Sequence, residues 1–175
     1  MRKRRLMDTS DTAKPARENY PTVSAIIIHD NKVLLRRDEQ RYNWLTPNTH
    51  IGIEETPIEA LFRQVRLETG LPQNNLTALL PYVDNLTLER DEAEGFTQPL
   101  PFDIDIHKVG QGNHYHVDTA YILVSTTDEL TPEADSPPDL QWFSEEELGD
   151  LMMTSKITIS RARYALNKYR ENPPK

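Results

Sequence analysis

The chain of 175 residues contains no cysteine. This absence excludes disulfide frameworks, cysteine-ligated zinc, iron–sulfur clusters and thiol nucleophiles, and it favours the cytoplasm as the compartment. Aromatic residues are also few, at 7% of the chain, although the hydrophobic fraction of 37% suffices for one core. The length fits a single domain of ordinary size.

Basic charge and long apolar runs are scarce as well. Against 28 Asp+Glu there are 20 Lys+Arg, and the resulting net charge of −8 argues against a general nucleic-acid or membrane surface. No stretch approaches the roughly 20 apolar residues of a membrane span. A small phosphorylated substrate remains compatible with this balance, because metal ions rather than lysines could hold it.

The two ends of the chain are polar or rich in proline. The basic start from Met1 to Arg5 has no apolar run behind it, so it is interpreted as a mobile arm and not as a signal peptide. We predict a disordered leader over residues 1–20, one domain over residues 21–170 and a frayed C-terminus over residues 171–175.

Strand and helix signals alternate between these ends. Residues 22–29 and 33–37 are apolar segments joined by the turn pair Asp30-Asn31, which predicts a hairpin. Thr56, Pro57 and Glu59 predict a helix start with a capping box, and Gly70 predicts its end. A short strand at residues 140–143, a helix capped by Ser144 and a final helix from about residue 155 to 169 complete a mixed α/β pattern.

Two later segments carry a regular alternation of polar and apolar residues. Asp103, Asp105 and His107 share one face of the first segment. His114, His116 and Asp118 share one face of the second. If the segments pair as a hairpin, these six residues form one polar patch. A solvated sheet face is the alternative, but such a face would also draw Lys, Thr, Glu and Ser, so the Asp/His composition favours a site.

The segment from Trp44 to Leu71 resembles the Nudix box, whose pattern is G-x5-E-x7-R-E-U-x-E-E-x-G-U with U aliphatic. The matching positions are Glu55, Arg63, Val65, Glu68, Gly70 and Leu71. With the flanking hairpin and the closing stretch, the resemblance spans about residues 22 to 148. It implies an α/β (α+β) fold, a Nudix-type α/β/α sandwich with a mixed β-sheet.

The chain departs from this pattern where the family holds its metal. Gln64 and Leu67 replace two glutamates, and only Glu68 of the three remains. A neutral amide is a weak ligand for a hard cation and leucine is none. Asn48 and Thr49 also stand where the family usually has two glycines.

Two functions follow from the resemblance and stay open at this stage. One is a hydrolase that uses Mg²⁺ or Mn²⁺ to cleave a diphosphate linkage in a nucleoside-diphosphate-linked substrate. The other is a catalytically silent Nudix-fold domain for ligand binding or regulation. The expected partner is a small phosphorylated, nucleotide-linked compound, and residues 85–101 are interpreted either as a lid or as an insertion for dimer contacts.

The hydrolase hypothesis assigns each candidate residue a role. The expected catalytic residues are Glu68, Glu55, Arg63 and His116. The expected substrate-binding residues are His50, Gln64, Asp105 and His107. The expected metal ligands are Glu68, Glu55, Asp103, His114 and Asp118. Arg63 is further expected to pair with Glu55 and brace the loop before the helix.

Overall fold

Residues 17–38, 42–79, 99–135 and 138–174 are described by the structure, which is a computed structural model. Most of the leader and most of the 85–101 segment therefore lie outside the described residues. The first strand begins at Glu18, inside the segment for which the sequence predicts a leader.

Strands and helices follow the predicted order along the described part of the chain. The strands are β1 (Glu18–His29), β2 (Lys32–Asp38), β3 (Asn43–Leu45), β4 (Asn48–His50), β5 (Leu76–Ala78), β6 (Asp103–Lys108), β7 (His114–Ser125) and β8 (Leu140–Phe143). The helices are α1 (Pro57–Thr69), α2 (Glu145–Gly149) and α3 (Lys156–Glu171). The mixed α/β prediction is confirmed.

The strands form one mixed sheet with the central order β3-β2-β1-β7-β5. Strands β1 and β7 run parallel, and the other pairs are antiparallel. Two strands pair with the same edge of β1. Strand β2 pairs with the end of β1, and β4 pairs with the first half of β1. Thr22 therefore lies between His50 of β4 and Asp118 of β7.

Helices cover both faces of the sheet, and each face has its own core. On the face covered by α1, which we call the α1 face, the alternate β1 residues Val23, Ala25 and Ile27 pack with Leu61 and Val65. On the opposite face, the α3 face, the intervening β1 residues pack against α2 and α3. Because strand side chains alternate, neighbouring residues of one strand serve different cores.

Helix α1 begins and ends as the sequence predicts. Thr56 and Glu59 form the reciprocal capping box at its start. At its end Gly70 has φ 73°, a left-handed conformation that favours glycine. A Cβ at Gly70 would lie 2.0 Å from the carbonyl oxygen of Thr131, so the close packing also requires glycine.

Candidate functional site

The polar patch predicted on two neighbouring strands is present, and it lies on the α3 face. Strands β6 and β7 pair with His107 opposite His116 and Asp105 opposite Asp118. Asp103 is opposite Ala120, which belongs to the core between the sheet and α3. The expected hairpin is therefore correct. The expected metal ligands Asp103, His114 and Asp118 do not lie beside Glu68, because Glu68 is on α1, which covers the other face of the sheet.

A polar cavity of about 470 Å³ opens where the patch meets the N-terminal end of α3. Thr22, Ser24, Asn48 and the start of α3 contribute hydroxyl, amide and backbone groups to its wall. No residue of α1 is among those that line it. The patch residues on its wall are Asp105, His107, His116 and Asp118, and His50 of β4 lies on the wall with them.

Arg161 of α3 binds two of the expected metal ligands. Its Nη1 donates to Asp118 Oδ2 at 2.6 Å and its Nε donates to Asp103 Oδ2 at 2.7 Å. The buried Asp118 also accepts hydrogen bonds from Thr22 at 3.0 Å and Ser24 at 2.8 Å. Asp118 is thus fully paired inside the fold. A buried carboxylate needs such partners, because burial without them is costly.

Three histidines converge beside the cavity. Each of His50, His114 and His116 offers a ring nitrogen within 4.8 Å of the other two. The closest pair is His116 Nε2 and His114 Nε2, 3.1 Å apart. Tyr20 stacks on His114, with ring centroids 4.1 Å apart, and so fixes the plane of that imidazole.

The surroundings of His116 favour its neutral form. Burial lowers the pKa of His116, and repulsion from His50, His107 and His114 lowers it further, to about 4. The negative charge of Asp118 raises the pKa of His116, but by less than the other causes lower it. A neutral imidazole keeps a nitrogen lone pair for a metal ion or a proton.

Asp105 holds a fourth histidine, His107, near these three. Asp105 Oδ2 lies 2.6 Å from His107 Nδ1, and the His107 ring lies 5.4 Å from that of His116. A carboxylate on one ring nitrogen directs the second nitrogen outwards, as is common for histidines beside metal ions. Both residues line the cavity.

On the α1 face, Glu68 is the one glutamate that remains at the box positions 64, 67 and 68, and it faces an arginine. Glu68 Oε1 lies 3.2 Å from Arg36 Nε, and both side chains are largely buried. Burial raises the pKa of Glu68, while Arg36 and a hydrogen bond from Gln64 partly oppose the shift. Arg36 Nε and Glu68 Oε2 have no hydrogen-bond partner among the described residues, so charge attraction holds this pair without an aligned hydrogen bond.

Glu55 and Arg63 form the expected pair. Arg63 donates two hydrogen bonds to Glu55, whose carboxylate also accepts the Gly52 backbone N–H at 2.9 Å. The hydrogen bonds from Arg63 first, and then that from Gly52, lower the pKa of Glu55 to about 2. The pair joins the loop before α1 to the helix itself.

The α1 face does not fit a magnesium cluster. Glu68 Oε2 is a buried oxygen with a free lone pair, as a metal ligand would be. However, the guanidinium of Arg36 already balances that carboxylate, and Gln64 and Leu67 add no charge. Mg²⁺ is reluctant to lose its waters and needs several hard oxygen ligands to bind.

Several residues of the site were missed by the sequence reasoning. Arg161 balances the charge of Asp118, and Thr22 and Ser24 donate hydrogen bonds to it. Arg36 balances the charge of Glu68. A signal for Arg161 exists in the sequence, since it lies in the buried stripe of the amphipathic α3. An arginine in an apolar stripe needs an acidic partner. Trp44 packs against the core on the α3 face, and Trp142 packs against the core on the α1 face.

The α/β/α sandwich and its box-like helix agree with the Nudix resemblance of the sequence. The polar cleft lies on the opposite face of the sheet. A family model described as the NUDIX domain matches residues 19–164. The chain belongs to the NUDIX domain family, whose hydrolases generally use divalent metal ions.

Solved structures share this fold. A NUDIX-family hydrolase from Clostridium perfringens is 29% identical with a TM-score of 0.74, covering 85% of this chain and 96% of its own. A C. elegans Ap4A hydrolase binary complex is 11% identical with a TM-score of 0.60, covering 87% and 96%. The NUDIX domain of Shewanella oneidensis NrtR, complexed with ADP ribose, is 14% identical with a TM-score of 0.59, covering 95% and 96%.

No curated protein matches the chain. Among the described residues, none of the helices combines the length and the apolar character needed to cross a membrane.

Proposed function

We propose that this NUDIX-family protein binds a nucleotide-linked diphosphate in the cavity on the α3 face, as a ligand-binding domain without hydrolysis through the box. One observation carries the proposal: the polar cavity is built by β1, β3, β4, β6, β7 and α3, whereas Glu68 of α1 is held by Arg36 of β2 on the other face of the sheet. Binding and the family's usual metal chemistry therefore lie on different faces of the sheet.

The N-terminal end of α3 suits the phosphate groups. Ser155 caps this 16-residue helix, and Ser155 and Thr158 line the cavity. Backbone N–H groups and the helix dipole favour an anion at such an end. Arg161, also on the cavity wall, has a buried Nη2 with no hydrogen-bond partner among the described residues.

The size and lining of the cavity suit a ligand larger than phosphate. Small-molecule sites usually occupy about 300–1,000 Å³, and about 470 Å³ lies within that range. Asn43, Asn48 and Thr46 on its wall can bond the polar edges of a base or a ribose. Structural relatives act on Ap4A or hold ADP ribose, which supports a nucleotide-linked ligand.

The proposal assigns the box residues a structural role. Glu55 and Arg63 brace the loop before α1, and Glu68 with Arg36 ties α1 to β2. A second candidate function is metal-dependent hydrolysis of the same diphosphate linkage. The convergence of His50, His114 and His116 beside the cavity favours this alternative, because imidazoles can hold a divalent ion.

Calorimetry on the full, tag-free chain tests the proposal, with ADP ribose and Ap4A as probes in buffer containing a chelator. We expect saturable binding to at least one probe, weakened about 10-fold by His107→Ala, which removes one cavity hydrogen-bonding group. His29→Ala is the control, because His29 does not line this cavity. The proposal would be overturned if neither probe binds, or if His107→Ala and His29→Ala lose affinity equally.

Product analysis on the same samples separates the two candidates. With Mg²⁺ or Mn²⁺ added, the binding proposal expects both probes to stay intact. Turnover that disappears in Glu68→Gln would establish hydrolysis through the box and contradict the proposed role of the Glu68–Arg36 pair.

A further inference from the structure

We infer that His50, His114 and His116 form a binding site for a transition-metal ion of the zinc type. This inference goes beyond the proposed function, because it needs no nucleotide and uses none of the box residues. Its basis is the convergence of three imidazoles within 4.8 Å at one edge of the cavity.

The spacing of the nitrogens is close to what one ion requires. Two nitrogens bound to one tetrahedral Zn²⁺ at about 2.0–2.1 Å lie about 3.3–3.4 Å apart. His114 Nε2 and His116 Nε2 are already 3.1 Å apart. The centroid of the His50 ring lies 4.7 Å from the centroid of the His116 ring. His50 is exposed, so side-chain rotation alone can bring its nitrogen closer.

Hydrogen-bonded strands hold these histidines in place. His114 and His116 lie two residues apart on β7 and project to the same face. His50 ends β4, and β1 pairs with both β4 and β7. Ligands on adjoining strands of one sheet keep their relative positions, which lowers the cost of assembling a site.

Neighbouring side chains orient the imidazoles. Tyr20 stacks on His114, and its hydroxyl donates to Glu18 at 3.1 Å. The Asp105–His107 pair lies beside His116. The stacked Tyr20 ring limits the rotation of the His114 imidazole.

The donor set selects the kind of ion. Imidazole nitrogen suits Zn²⁺, Cu²⁺, Ni²⁺ and Co²⁺, whereas Mg²⁺ and Ca²⁺ prefer oxygen. Asp103 and Asp118 are not counted as ligands, because Arg161 holds both. His50 and His116 line the cavity, so an ion on the three histidines keeps a coordination position open towards it. Three protein ligands with one open position are typical of catalytic rather than structural zinc sites.

Metal titration of the tag-free full chain, stripped with a chelator and dialysed, tests this inference. We expect one equivalent of Zn²⁺ by calorimetry. Co²⁺ should give the visible absorption of a tetrahedral site, and Mg²⁺ should give no saturable binding. The absorption reports the coordination independently of any activity.

Matched histidine variants locate the ion. His116→Asn should weaken Zn²⁺ binding at least about 100-fold, since loss of an orienting neighbour alone costs 10–100-fold. His29→Asn should bind like the parent chain, because His29 lies outside the cluster. Circular dichroism checks that each variant is folded. Absence of Zn²⁺ binding by the parent chain, or unchanged binding in a folded His50→Asn/His116→Asn double variant, would overturn the inference.

Discussion

The α1 face and the α3 face of the sheet hold their polar groups in opposite ways. On the α1 face, only Glu68 is a glutamate among the box positions 64, 67 and 68, and Arg36 balances its charge. On the α3 face, histidines and an aspartate remain at the wall of an open cavity, while Arg161 neutralises the buried Asp118. The helix with the family's sequence signature is therefore poor in ligands, and the strands without it are rich in them.

The box-like segment keeps the residues that shape its loop and helix end, although two of its carboxylate positions hold other side chains. Glu55, Arg63 and Gly70 still shape the loop and the end of α1. The positions that bind metal in the family now hold Gln64 and Leu67. Fold and function separate in this way because catalysis depends on a few side chains, whereas the fold depends on many.

The largest expected effect comes from breaking the buried pair on the α3 face. Asp118→Ala should lower the free energy of unfolding by about 3–5 kcal/mol, because it leaves the Arg161 charge buried with less compensation. Asp103→Ala is the matched control. It removes a more exposed partner of the same arginine, so about 1 kcal/mol or less is expected. Urea denaturation measures both, and equal losses would contradict the distinction between them.

The Glu68–Arg36 ion pair on the α1 face should contribute less to the free energy of unfolding than the Asp118–Arg161 pair. Glu68→Gln should lower the free energy of unfolding by about 1–2 kcal/mol, because Arg36 keeps its charge in a largely buried position. Arg36→Gln is the second arm of a double-mutant cycle. If the two side chains stabilise one another, the double variant loses less than the sum of the single losses. Strict additivity in urea denaturation would show that no coupling exists.

Acid should lower the stability of the fold through protonation of His116 on the α3 face. The folded pKa of His116 is about 4, below its ordinary value of 6.5. As pH falls, the unfolded chain is protonated first, so stability present above pH 6.5 is lost as the pH falls towards 4.

His116→Asn should therefore flatten the pH dependence of stability between these values. The expected change is about 1 kcal/mol, since solvent screens a partly exposed group. Urea denaturation across this pH range, with chelator present, provides the measurement, and His29→Asn is the control. An unchanged slope in His116→Asn would contradict the shifted pKa.

The smallest effect is expected from restoring the box. Gln64→Glu with Leu67→Glu should lower stability by about 0.5 kcal/mol without metal, because like charges on one helix face repel. Millimolar Mg²⁺ should reverse the loss by bridging the carboxylates. Thermal unfolding with and without Mg²⁺ measures this change, and Leu67→Gln is the neutral control. A parent chain that Mg²⁺ stabilises equally would show that its α1 face already binds the ion.

Much of the fold could be predicted because local signals agree. The capping residues Thr56 and Glu59, the left-handed Gly70 and the alternation in β6 and β7 each depend on neighbours in sequence. The hairpin pairing of β6 and β7 was a condition for the polar patch, and the structure shows that pairing.

The site was harder to predict because it depends on contacts between distant residues. Arg161 reaches Asp118 from a helix 43 positions further along the chain. Arg36 reaches Glu68 from β2. Which face of the sheet carries the patch depends on how β7 pairs with β1, and no local pattern encodes this parallel pairing. The expected metal ligands therefore included Asp103 and Asp118, which α3 holds.

Anomalous diffraction from crystals grown with Zn²⁺ and, separately, with Mn²⁺ tests the contrast between the faces most directly. We expect a zinc peak among His50, His114 and His116, and no manganese peak beside Glu68. A manganese peak at Glu68 with no zinc at the histidines would contradict this expectation, because the metal would then lie on the α1 face.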